Sequence, residues 1–147
     1  MIPIKVVDVV LRELPVSGEQ TRKLYQLVLM NEAQRRAFLI WVGEFEGLAI
    51  AFKLNGHETP RPLTQVFIAR LIEASDAKLE RVEISELKQD FFYATVHMNI
   101  NGTLKSVDAR PSDAIALAIH TDTPMFVSEQ ILLEQGVDVP QKHIPTG

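Results

Sequence analysis

The sequence predicts an α+β fold: a mainly antiparallel or mixed sheet with about four helices, in the order βββααβββαβα. Three observations predict it. Apolar, β-branched runs come in neighbouring pairs separated by turn chemistry, so hairpins dominate. Helical periodicity appears only in separate short stretches. Strands and helices do not alternate regularly, as a doubly wound parallel sheet would require.

Taken in order, Ile4 to Leu11 is rich in β-branched residues and reads as a first strand, ended by a turn-like break at Leu14-Pro15-Val16-Ser17-Gly18. Tyr25 to Met30 and Ala37 to Val42 are apolar runs on either side of the polar segment Asn31 to Arg36, which is a hairpin pattern. After Gly43 the period changes: Phe45, Leu48, Ala49 and Phe52 share one helical face, and Asn55-Gly56 supplies a stop. A second helix is expected from about Pro62 to Ala74. Val82 to Leu87 and Phe92 to Ile100 read as strands. Asn101-Gly102 is a strong signal for a primed two-residue turn returning Thr103 to Val107. That strand hands over to a helix begun by Pro111, whose missing N–H suits a first helical position. A short strand at Met125 to Val127, a helix from Ser128 to Gln135 closed by Gly136, and a loose tail complete the chain. Residues 1–139 are expected to form one domain and residues 140–147 the tail. Trp41 and the phenylalanines read as core material.

Composition bounds the function. The chain has 147 residues and no cysteine, which excludes disulfides, thiolate metal ligation and a catalytic thiol. Met1-Ile2-Pro3-Ile4-Lys5 lacks a signal-peptide pattern, and no apolar run approaches the roughly 18–20 residues that cross a bilayer, so a cytoplasmic protein without a membrane span is expected. Fifteen Lys and Arg face nineteen Asp and Glu, a net charge of −4, and the basic residues are scattered. Nucleic acid would then have to be held at a local site, by a few Arg or a metal, rather than on a basic stripe.

The densest chemistry is Asp108-Ala109-Arg110-Pro111-Ser112-Asp113, at a strand-to-helix junction ahead of the apolar run Ala114 to Ala118. Arg-Pro recurs at Arg61-Pro62-Leu63-Thr64, also before an expected helix. A helix N-terminus with an adjacent Arg suits a phosphate, which makes Arg61, Thr64, Arg110 and Ser112 candidate phosphate ligands. Asp108 and Asp113, with Glu46 as a third ligand, suit a hard divalent cation, Mg²⁺ or Mn²⁺. The structural alternative is that Arg110 pairs with Asp108 or another acid to lock the corner, and that Asp113, Glu44 and Glu46 serve as first-turn dipole partners. His57, His97, His120 and His143 are dispersed without metal-type spacing and read as ordinary surface. No P-loop, nucleophile elbow or dinucleotide fingerprint is present.

Ile40-Trp41-Val42-Gly43, Ala49-Ile50-Ala51, Pro60-Arg61-Pro62-Leu63-Thr64, Phe92-Tyr93-Ala94 and Val107 through Ala118 follow one another in an order that resembles the bifunctional nuclease family, from about Val6 to Val137. The resemblance implies a compact α+β domain that self-associates as a homo-oligomer, with DNase and RNase activity. On that basis Asp108, Asp113, Arg110 and Arg61 are the expected catalytic residues of a metal-assisted phosphodiester hydrolase acting on DNA or RNA. The sequence departs from the family pattern at Gln65, where a His is usual, at Val66, where an acid is usual, and at Gly47, where an Ala is usual. An amide does not titrate near neutrality, so Gln65 cannot replace a base. Two alternatives stand beside the nuclease: a non-catalytic oligomeric module binding a small anion or a protein partner, and a small-molecule phosphatase or ligand sensor.

Overall fold

A computed structural model describes residues 1–140; of the tail expected from residue 140, all but Pro140 lies outside the described residues. The elements are β1 (Ile2–Ser17), β2 (Gln20–Asn31), β3 (Arg36–Val42), α1 (Glu44–Leu54), α2 (Thr64–Ala74), β4 (Ala77–Lys88), β5 (Phe91–Ile100), β6 (Thr103–Ala109), α3 (Pro111–Thr121), β7 (Met125–Val127), α4 (Glu129–Gln135) and β8 (Val137–Asp138). The α+β class and the element order stand as the sequence predicts, with a two-residue closing strand added. The strands form one mixed sheet in the order β6-β5-β4-β7-β1-β2-β3-β8. Only the β4–β7 pairing is parallel among the described residues. Asn101 and Gly102 both take positive φ, 51° and 83°, as the β5–β6 hairpin requires.

Alternation divides the sheet into two faces. Leu27, Leu29, Phe38, Ile40, Val82, Ile84, Ala94 and Val96 are buried on one face, in a single core with Ile50 of α1, the Ala114 to Ala118 stretch of α3, and Ile131 and Leu132 of α4. The opposite face carries the intervening residues and no helix of this core. Five consecutive buried residues, Ala114 to Ala118, leave the middle of α3 without a polar side, which makes it the inner rod on which α1 and α2 rest.

Three local expectations are corrected. The break expected at Leu14 to Gly18 is strand as far as Ser17, and the chain turns at Gly18, with φ 57°. Pro15 is tolerated because it lies beside a register irregularity in an exposed two-stranded ribbon, where a missing N–H leaves no inner ladder unsatisfied. α2 begins at Thr64 rather than Pro62: Leu63 is its extended N-cap, and Pro60 and Pro62 keep the residues before them out of the helical region. Finally, Trp41 is 49% exposed and Phe45, Phe67 and Phe91 are more exposed still, so they are not core. Trp41 and Leu39 alternate with the buried Phe38, Ile40 and Val42 and therefore face away from the helices.

α1 approaches β2 closely through Gly47, where a side-chain methyl would overlap Tyr25 at its ring and its Cβ. Because those atoms lie next to the backbone, Tyr25 cannot swing clear. Gly47→Ala is therefore expected to destabilise the protein by about 1–3 kcal/mol of overpacking, against about 1 kcal/mol of gained helix propensity. Chemical denaturation checks this, and a Tyr25→Gly background, which removes the Cβ together with the ring, should abolish most of the penalty.

Candidate active-site groove

β6 ends at Ala109 and delivers Arg110 as the extended N-cap of α3, with Pro111 at the first helical position. No side chain caps this end. Instead the Arg110 guanidinium reaches over the first turn: Nε donates to Asp113 Oδ2 at 2.8 Å and Nη2 to Asp113 Oδ1 at 3.1 Å, a bidentate fork. Nη2 also donates to Glu46 Oε1 at 3.3 Å, which ties α3 to the first turn of α1. Nη1 makes no hydrogen bond among the described residues. The Arg110 side chain is two-thirds exposed, and Asp113 and then Glu46 hold its proton more firmly than usual.

This clamp stands at the edge of a 460 Å³ cavity between α1 and α2, walled by Phe45, Leu48, Phe52, Leu63 and Ile68 and also lined by Thr64 and Gln65. Ala49, Phe52, Leu63 and Gln65 also line an adjoining cavity of 470 Å³, reached by Lys53, His57, Arg61, Arg70 and His120. The two make one groove over α3. A larger hollow of 830 Å³ lies near the other end of α3, but none of the predicted site residues lines it.

The groove gathers Arg110, Asp113, Glu46 and Thr64 at one end and Arg61 in its adjoining half. Two expected residues are elsewhere. Asp108 pairs across the ladder with Thr95, which pairs with Glu83, so it projects from the helix-free face while Asp113 stands on the helical side. It is not the partner of Arg110 either. Ser112 is only 9% exposed and lines neither half of the groove, because it falls on the buried side of the first turn of α3. The three-carboxylate set therefore does not converge, and no group of three or more His, Cys, Asp or Glu positioned for a metal occurs among the described residues. Asp113 and Glu46 do converge on one point, the Arg110 Nη2, and Mg²⁺ takes one or two carboxylates beside water and substrate oxygens.

Sequence reasoning missed Phe45, Lys53 and Arg70. Phe45 shares the apolar face of α1 in a linear reading, yet it is 82% exposed because the helix starts there and its first turn overhangs the groove. Lys53 and Arg70 look like two more scattered cations until α1 and α2 are docked. His97 also differs from expectation. On the helix-free face its Nδ1 lies 3.0 Å from Ser106 Oγ and its Nε2 3.3 Å from Glu83 Oε1, the oxygen that Arg81 also binds. Burial pushes the Glu83 carboxyl up, but Arg81 and His97 together outweigh it and hold it below the usual carboxylate value.

Residues 27–140 match the bifunctional nuclease domain family. The chain belongs to that family. Over 117 residues it is 38% identical to an uncharacterized protein of Mycobacterium tuberculosis, covering 79% of this chain and 70% of the relative. It is also 27% identical over 105 residues to bifunctional nuclease 1 of Oryza sativa subsp. japonica and to the bifunctional nuclease of Oryza minuta. That second match takes in 69% of this chain but 32% of each rice protein. No helix among the described residues is long and apolar enough to cross a membrane.

Partial burial, then the charges of Lys53 and Arg70, lower the pKa of His120 from its ordinary 6.5. The fold thus favours the neutral ring. The associated stability is complete above the unfolded-state value and declines as pH falls from there towards the folded-state value. A proton NMR titration of His120 should give a midpoint below 6.5. Arg70→Gln or Lys53→Gln should raise it, whereas a midpoint unmoved by both substitutions would contradict the assigned cause.

Proposed function

We propose that the groove binds a strand of nucleic acid and that the protein is a nuclease hydrolysing phosphodiester bonds of DNA or RNA at the Arg110 end. The observation that carries this reading is the Arg110 clamp. Two acids fix the guanidinium at the cavity edge while Nη1 keeps both of its hydrogens for a ligand. Asp113 occupies the Nε–Nη2 fork and Glu46 shares Nη2, so a guanidinium so held offers a phosphate its Nη1 hydrogens, a local contact that suits a protein with a net charge of −4 and no basic stripe. The exposed Phe45 ring, in the turn that carries Glu46, offers a face on which an unpaired base can stack. Membership of the family and the names of the rice relatives support the same activity.

In this reading Arg110 binds the scissile phosphate and stabilises the charge that develops on its oxygens as water attacks phosphorus and the bond to the leaving strand oxygen breaks, that oxygen taking its proton from solvent at the open edge of the groove. Glu46, the less exposed of the two acids, accepts the proton of that water, and the Thr64 hydroxyl donates to the phosphate from the opposite wall. Asp113 and Glu46 are the residues that would hold Mg²⁺ or Mn²⁺, whose chemistry there is to polarise the phosphate and acidify water. Gln65 stands beside this end and binds without titrating.

Self-association belongs to the same reading, because Leu39 and Trp41 leave apolar surface on the helix-free face. Retention of both acids by Arg110 favours a second reading, a module that binds anions without cleaving them.

Cleavage of fluorescent single-stranded DNA and RNA, with Mg²⁺ or Mn²⁺ and with chelator, tests the proposal. Arg110→Ala is expected to lower the rate by about 10²-fold or more, the usual loss when a donor to a developing oxyanion is removed. Its thermal midpoint should barely move, since exposed ion pairs contribute little. Asp108→Asn should be as active as the parent. A parent that leaves both substrates intact, or an Arg110→Ala variant of full activity, refutes the nuclease and leaves the binding module.

A further inference from the structure

The half of the groove away from Arg110 concentrates positive charge in a protein that is acidic overall. Lys53, Arg61 and Arg70, with His57 and His120, line one cavity of 470 Å³ against a single acid, Glu58. Like Arg12, Arg22, Lys23, Arg35, Lys78 and Lys105, the residues Lys53, Arg61 and Arg70 form no ion pair among the described residues; what distinguishes them is that they share one cavity. Cations gathered within about a Debye length, ~8–10 Å, repel one another, and mixed-sign surfaces ordinarily avoid this by interspersing acids. Here Glu58 is the one acid among them, and Glu46 and Asp113 stand at the other end of the groove. Partial burial, and then the charges of Lys53 and Arg70, disfavour a proton on His120. The Phe52 and His57 rings lie 5.8 Å apart, and Leu63, Val66 and two prolines complete a lining that is more polar than apolar, which suits a compact anionic head.

We propose that this half of the groove is a receptor for a phosphate monoester, held by Lys53, Arg61 and Arg70. A monoester carries close to two charges and three terminal oxygens, which answers three cations better than the single charge of a diester. The shared walls Ala49, Phe52, Leu63 and Gln65 lead from it to the Arg110 end. The phosphorylated end of an oligonucleotide would therefore anchor here while its chain runs towards Phe45. The phosphate site stands on the cation cluster by itself. Its assignment to a strand end rests on the nuclease reading above.

Equilibrium binding in chelator, where divalent-dependent cleavage cannot intervene, tests it with short single-stranded oligonucleotides carrying a 5′-phosphate, a 3′-phosphate or neither. Inorganic phosphate and a nucleoside monophosphate serve as competitors. One phosphorylated form is expected to bind about tenfold more tightly than the unphosphorylated strand, the effect of about one charge-assisted hydrogen bond. Arg70→Gln and Lys53→Gln should each erase most of that preference, while Arg110→Ala should keep it. Both glutamine variants change exposed side chains, and their unfolding midpoints verify that they fold.

If inorganic phosphate and the monophosphate bind and respond to these variants but the strand end confers no preference, the phosphate site stands and its ligand is a free phosphate compound. Indifference to phosphorylation together with no binding of inorganic phosphate overturns the proposal. So does displacement by an acidic peptide alone, which would make the cluster a protein contact. End preference without any cleavage would remove the nuclease and keep this site; cleavage with neither end preference nor phosphate binding would do the reverse.

Discussion

The arrangement depends on the burial of α3. Its segment from Ala114 to Ala118 has no polar side, so the sheet must cover it from one direction and α1 and α2 from the other. Small residues at positions 114, 116 and 118 let those helices come close. Once the rod is enclosed, its two ends are the places where polar groups can meet solvent. Arg110 and Asp113 stand at one end and His120 at the other, which is why the candidate chemistry lies along the groove above α3 rather than on the open sheet.

The polarity of that groove follows from ordinary helix electrostatics. Glu46 in the first turn of α1 meets Arg110 and Asp113 at the start of α3, and Lys53 in the last turn of α1 lines one cavity with His120 in the last turn of α3. Acids suit helix beginnings and cations suit helix ends. Two helices so aligned therefore place carboxylates at one end of the groove and cations at the other. Arg110 compensates the acidic end. Lys53, Arg61 and Arg70 form no ion pair among the described residues and share their cavity with one acid, Glu58, and this contrast gives the two halves different chemistry.

Elsewhere the structure uses polar contacts to hold rather than to bind. Arg36 donates to the carbonyls of Leu132, Leu133 and Gly136 and pairs with Asp138, which closes the end of α4 against β3. Ser128 caps the start of the same helix through its hydroxyl. On the helix-free face, Arg81, Glu83, His97 and Ser106 form a cross-strand network. Asp108 belongs to that face, and its proximity in sequence to Arg110 is a consequence of the chain turning a corner between them.

By itself the sequence determined what depends on neighbours along the chain. Period 2 and period 3.6 marked the strands and helices, Asn101-Gly102 the hairpin, Pro111 the start of α3, and the run of motifs the family. Local reading also located Arg110, Asp113, Glu46 and Thr64, since first-turn acids and an N-cap Arg are features of one helical turn. Only the tertiary structure decided which of these groups share a space. A one-residue step along β6 reverses the face a side chain takes, so Asp108 and Ala109 part company although they are adjacent. The side of a helix that is buried depends on its partners, so Ser112 disappears inside while Phe45 stands in solvent. Lys53, Arg61 and Arg70 become one cluster only because α1 and α2 dock on the same rod, and docking is set by long-range packing that no local pattern encodes.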